Sequence, residues 1–170
     1  YSAAYRRDVL AASGGFDPIF RTASVEDQEL SFRLAQQGHR LVFVPTACVY
    51  HRHDHSWAEY IRRKFWIGCW KTLVVRRYPS KIVHDSHTPQ TLKAQIVWLG
   101  LLIAASAVWP VWPVAGWGAG LSALAFVLTA LPFLLKAARR DPAVLLVALP
   151  MLVTRAAALG AGLAAGAVNF

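Results

Sequence analysis

Apolar and polar positions follow three different rhythms along the chain. Tyr5, Val9 and Ala12 recur on one face, which predicts a short helix over 5–12 that Gly14-Gly15 ends. Phe16-Asp17-Pro18 reads as a turn, because Pro18 pushes Asp17 out of the helical region. A second helix is expected over 25–37, with Ser24 as N-cap and Gly38 as its stop. Leu41-Val42-Phe43-Val44 is then a continuous apolar run closed by Pro45, as in a strand covered on both faces, and 47–50 reads as a further short strand. After the polar run His51-Arg52-His53-Asp54-His55, Ser56 and Glu59 have capping-box spacing. The helix they start runs to about Arg77, with Trp57, Tyr60, Ile61, Phe65, Trp70, Leu73 and Val74 among six basic residues. That pattern suits a membrane interface. Tyr78-Pro79-Ser80 ends it, and 81–90 is a polar connection.

The last rhythm is unbroken hydrophobicity. No charged residue falls between 94 and 135, roughly forty positions, about twice what one membrane-spanning helix needs. Three spans are predicted, over about 92–111, 114–135 and 143–168. Trp109, Trp112 and Trp117 flank a tight Pro-containing hairpin between the first two, as in an interfacial aromatic belt. The chain therefore divides into a polar first part over 1–55, a basic helix and connection over 56–91, and an apolar region over 92–170.

Composition sharpens this picture. The chain has 170 residues, 56% of them hydrophobic, which together with its apolar half argues against a water-soluble globular protein. Its formal charge of +9 comes from residues beside the apolar segments, so the basic clusters read as membrane-surface and orientation signals before nucleic-acid contacts. Lys136, Arg139 and Arg140 assign their loop to the cytoplasm. The Trp hairpin then lies outside and the basic helix returns to the cytoplasmic side. Cys48 and Cys69 share no metal-ligand spacing and read as free thiols.

The chemistry concentrates between Gly14 and His51. Glu26-Asp27 opens a helix after a glycine turn, and adjacent carboxylates repel each other, which favours one of them acting as a base. The order Gly14-Gly15-Phe16-Asp17, then Glu26-Asp27, then an apolar run ending in Pro45, then His51 resembles the acceptor-side half of family 2 glycosyltransferases. The resemblance implies an α/β fragment of a GT-A domain over 1–55, followed by the interfacial helix and an all-α transmembrane region of three helices. It also implies inverting transfer of a sugar from a nucleotide-sugar donor to a lipid-linked or polysaccharide acceptor, with Asp27 as general base. A divalent metal, Mg or Mn, is expected to be held mainly by residues upstream of Tyr1, which makes this stretch inactive alone. The expected setting is a bacterial inner membrane with the catalytic part in the cytoplasm. Membrane lipids are the further partners, and no nucleic acid is expected.

Each candidate also has a plainer reading. Ser24-x-x-Asp27 fits a capping box in which Asp27 bonds back to the Ser24 amide. Glu26 orients the acceptor or faces water. Gly14, Gly15 and Asp17 contact substrate, or form a helix stop and loop. His51 is a candidate donor-site residue. The alternation of His51, His53 and His55 suits zinc on an extended segment, yet equally suits a solvated loop. Arg62-Arg63-Lys64-Phe65-Trp66 lacks the Gln of the Q-x-x-R-W motif carried by processive members of the family, which counts against a cellulose-synthase type. Arg155 lies mid-span, where a charge is functional by default: the phosphate of a polyprenyl lipid is one partner, and snorkelling or a helix–helix bond accounts for it equally well. Two rival classes remain, a small transporter subunit and a His-rich metal-binding membrane module. One mostly uncharged set of spans gives little lining for an ion path.

Overall fold

The computed structural model describes residues 3–50, 54–83 and 88–170, and its elements are helical. They are α1 (Arg7–Ala12), α2 (Glu26–Gln36), α3 (Trp57–Arg77), α4 (Gln90–Val108), α5 (Ala115–Arg140) and α6 (Leu145–Asn169). Short 3-10 turns at Pro79–Ile82 and Pro142–Val144 precede α4 and α6.

The expected α/β fragment is not there, because no strand occurs among the described residues. Leu41, Val42, Phe43 and Val44 are irregular and 52–87% exposed, so the run predicted to be covered on both faces is covered on neither. Residues 47–50 form no strand either. A strand needs a neighbour for its backbone groups, and no described segment offers these residues one.

The helices begin and stop for legible reasons. Gly14, Gly15 and Gly38 all have positive φ (78°, 70° and 84°), where a side chain would be strained, and they end α1 and α2. Ser56 caps α3 by accepting from the Glu59 amide at 3.1 Å, while the Glu59 carboxylate takes the His55 amide at 3.0 Å. At α2 the expected cap fails. Val25 holds the N-cap position without a side-chain bond, and Ser24 instead donates its amide to Glu26 Oε2 at 2.6 Å.

Two helix pairs make the body. In the first, α3 runs parallel to α6 in backbone contact. A methyl at Gly162 would fall on the Phe65 carbonyl, one at Gly166 on the Cys69 carbonyl, and one at Gly68 on the Leu159 carbonyl. Thr72 Oγ1 donates to the Leu163 carbonyl at 3.2 Å and Arg76 to the Ala167 carbonyl at 3.1 Å. In the second, α4 and α5 form an antiparallel hairpin, with Ala105 near Gly118 and the Trp109 ring over Gly116 at its tip. The middle of α6 meets this hairpin near its base, where Leu152 and Ala156 cluster with Leu99, Phe126 and Ala130. Lys93, at the start of α4, donates to the Ile82 carbonyl at 2.7 Å and ties the hairpin to the 3-10 turn that follows α3.

Three helices, at Gln90–Val108, Ala115–Arg140 and Pro142–Asn169, are long and apolar enough to cross a membrane. The outer face of the α4–α5 hairpin exposes Val97, Leu101, Ile103, Trp117, Leu121 and Leu128, as contact with lipid tails requires. A second core joins α2 to the far end of α3 and α6, where Phe20, Val25, Phe32, Trp70, Val74 and Tyr78 pack with Phe170.

Candidate functional site

The Gly14-Gly15 turn, α2 and the end of α3 enclose an open cleft of about 530 Å³ lined by Gly14, Gly15, Asp17, Glu29, Arg33 and Arg77, among others. Glu29 anchors it from a side chain only 2% exposed. Its carboxylate accepts from Arg33 Nε at 3.2 Å and Nη2 at 3.1 Å, and from the Tyr78 hydroxyl at 3.0 Å. Arg33 reaches on across the cleft and donates to the carbonyls of Ser13 and Gly15, the latter at 2.7 Å. One buried ion pair thereby holds the backbone of the glycine turn against α2. Arg77 closes the opposite wall, 2.6 Å from Asp17 Oδ2, and Asp17 Oδ1 takes the Ile19 amide at 2.9 Å.

These contacts set the charge states. The Glu29 carboxylate raises Arg33 above its ordinary value against the opposing pull of burial. Partial burial disfavours the Asp17 carboxylate, but the hydrogen bonds from Arg77 and the Ile19 amide outweigh it, and the net shift is downward. Burial, followed by the hydrogen bond to the Glu29 carboxylate, pushes the Tyr78 hydroxyl up to about 12.

The residues expected to form one site are divided by the fold. Gly14, Gly15 and Asp17 line the cleft. Glu26 and Asp27 open α2 without lining it, and both are partly buried. Glu26 is engaged by the Ser24 amide. Asp27 Oδ1 accepts the Gln28 amide at 2.7 Å, and among the described residues Oδ2 has no hydrogen-bond partner. The plain reading of Asp27, a bond back to Ser24, is therefore carried out by Glu26 instead. His51 and His53 lie outside the described residues.

Glu29, Arg33, Arg77 and Tyr78 were missed from the sequence. The Glu29–Arg33 spacing of four residues on one helix was the available signal.

A divalent cation does not fit the cleft. Its two carboxylates are already engaged by arginines, and the described residues contain no cluster of three potential metal ligands. A family model described as glycosyl transferase family group 2 matches residues 2–157. No curated protein and no solved structure matches the chain.

Proposed function

Since the chain belongs to glycosyl transferase family group 2, whose model covers most of it, we propose that it takes part in inverting transfer from a nucleotide-sugar donor to a lipid-linked or polysaccharide acceptor. Asp27 is the general base. It takes the proton from the acceptor hydroxyl as that oxygen attacks the anomeric carbon, and the nucleoside diphosphate departs from the opposite face. The observation that carries this assignment is the division of labour at the start of α2. Glu26 satisfies the loop amide, and Asp27 keeps one carboxylate oxygen available on the first turn of a well-packed helix. Gly14, Gly15 and Asp17 contact substrate from the adjoining cleft, with Arg33 holding the turn and Arg77 holding Asp17. His51 remains a proposed donor-site residue. The metal is left to residues outside this stretch, and no step here runs through it.

The membrane in this reading is a bacterial inner membrane crossed by the α4–α5 hairpin, with α2 and α3 on its cytoplasmic side together with the end of α6, whose Phe170 packs in their core. The antiparallel α4–α5 hairpin supports it: the basic end of α5 and the start of α4 share one end, and Trp112 marks the other. On α3, Trp57, Ile61 and Trp66 are exposed beside Arg62 and Arg63, a surface suited to the interface.

The test is Asp27→Asn in the full-length enzyme. Transfer should fall by about 10²–10⁴, while nucleotide-sugar binding stays near wild type. Turnover close to wild type in the Asn variant would remove Asp27 as base and leave it a helix-start residue.

A further inference from the structure

At the junction of α3, α4 and α6, two cations, Arg155 on α6 and Lys64 on α3, each lie four residues before a point where α3 and α6 touch, Leu159 against Gly68. The Arg155 guanidinium donates through Nη2 to Gln95 Oε1 at 3.1 Å, and Gln95, 2% exposed, donates in turn to the Thr129 carbonyl at 3.4 Å. These bonds hold one edge of the guanidinium on α4. Its Nε is buried and has no hydrogen-bond partner among the described residues. Lys64, partly buried on α3, lies with its ammonium over the Tyr60 ring, 5.3 Å from the centroid. Arg155, Arg63 and Asp54 all act electrostatically on Lys64 and Tyr60. The neighbouring carboxylate, Asp54, is taken by Arg63 at 2.5 Å.

Like charges brought together out of water repel, and a buried guanidinium N–H without an acceptor adds a desolvation penalty. Both penalties vanish when a third group brings negative charge and several acceptor oxygens. We propose that this junction binds a phosphate group, with Arg155 and Lys64 as its cations and the Tyr60 hydroxyl as a further donor. Phosphate suits the donors better than carboxylate does. They approach from separate helices, α3 and α6, and a tetrahedral anion offers acceptors in more than one plane.

A second cleft, of about 390 Å³, opens beside the junction and is lined by Asp54, which Arg63 neutralises, and by Trp57, Tyr60, Arg63 and Met151 among others. It shares Tyr60 with the junction and gives whatever the phosphate carries a partly aromatic wall. The junction lies at the base of the apolar hairpin, so a lipid headgroup and a free phosphate are both possible sources of the same chemistry. The site makes no use of Asp27 or the glycine-turn cleft.

The full chain in neutral phosphatidylcholine nanodiscs is titrated separately with dioleoyl phosphatidic acid, dioleoylglycerol and inorganic phosphate, without nucleotide sugar. Tryptophan fluorescence and phosphorus NMR are the readouts. Saturable binding of phosphatidic acid, with dioleoylglycerol about tenfold weaker or silent, supports the site with a lipid source. Saturable binding of inorganic phosphate that competes with phosphatidic acid supports it with a free source. Arg155→Gln with Lys64→Gln should weaken the binding about tenfold or more. Lys64→Gln alone leaves the Arg155–Gln95–Thr129 bonds in place and should weaken it several-fold, which keeps the test valid if the double variant does not fold. The proposal is overturned if neither phosphate probe binds, if dioleoylglycerol binds equally, or if Lys64→Gln binds as wild type. Loss of transfer in Asp27→Asn with phosphate binding intact would separate this site from the base assignment.

Discussion

Replacing Glu29 with alanine should loosen the whole first part of the chain. The carboxylate is 2% exposed and accepts two bonds from Arg33 and one from Tyr78, with Arg77 3.9 Å away. Removing one member of a fully buried ion pair costs about 3–5 kcal/mol. Here Arg33 is 23% exposed and keeps the Ser13 and Gly15 carbonyls, so part of its charge is relieved by water and backbone. The Tyr78 hydroxyl loses its acceptor, which adds about 1 kcal/mol. The expected loss is about 2–4 kcal/mol. Denaturant unfolding of the full chain in detergent measures it through Trp70, whose ring packs 5.6 Å from Phe20 and whose indole N–H bonds Thr22 at 2.9 Å. Glu29→Gln keeps the shape and loses the charge, so it should cost about half as much. Amide exchange at residues 13–15 should quicken in both variants, because Arg33 then holds the turn less firmly. A loss within about 0.5 kcal/mol for alanine, or equal losses for alanine and glutamine, would refute a charge-based anchor.

Other tests address the pH response and the topology. The folded Tyr78 hydroxyl is raised to about 12, so its contribution to stability is complete below about pH 10 and is lost as pH rises through 12. Unfolding followed against pH should show that loss in wild type and not in Tyr78→Phe, and a wild-type profile flat between pH 10 and 12 would remove the coupling to Glu29. Single cysteines at positions 112 and 138, in a background lacking Cys48 and Cys69, should be labelled from opposite sides of intact cells, with 112 outside. Labelling of 138 with 112 protected would reverse the orientation.

Local signals in the sequence survived into the structure better than long-range ones. Ser56 and Glu59 place the start of α3, and Gly38 stops α2, because capping and positive φ are decided within a few residues. The apolar helices follow from composition alone, within a few residues at each end. The Leu41–Val44 run misled because apolarity was read as burial, whereas a strand depends on a partner elsewhere in the chain. The cleft was half legible. Gly14, Gly15 and Asp17 stood out as a turn, but nothing in a Glu–Arg pair at helical spacing marks Glu29 and Arg33 as buried. Only the approach of Tyr78 and the turn carbonyls turns that pair into a buried anchor. The Ser24–Glu26 bond was invisible for a related reason: spacing alone does not say which of two adjacent carboxylates turns back to the loop.

The composition of α3 makes sense only when its contacts are divided among its neighbours. Gly68, Cys69 and Thr72 meet α6 at backbone distance, which small side chains alone permit. Trp70, Val74 and Tyr78 belong to the core shared with α2, and Trp57, Ile61 and Trp66 are left exposed. A mixture of basic and aromatic residues that reads as one interfacial stripe is thus several surfaces on one rod. That rod has 21 residues and spans about 31 Å. One end of it supplies Arg77 and leads into Tyr78 at the glycine-turn cleft, while Lys64, nearer the other, lies one turn before the Gly68–Leu159 contact, as Arg155 does on α6. Glycine contacts along α6 leave little room for α3 to slide or tilt. A group bound at the Arg155 junction is therefore held at a set distance from the cleft by a single rigid helix.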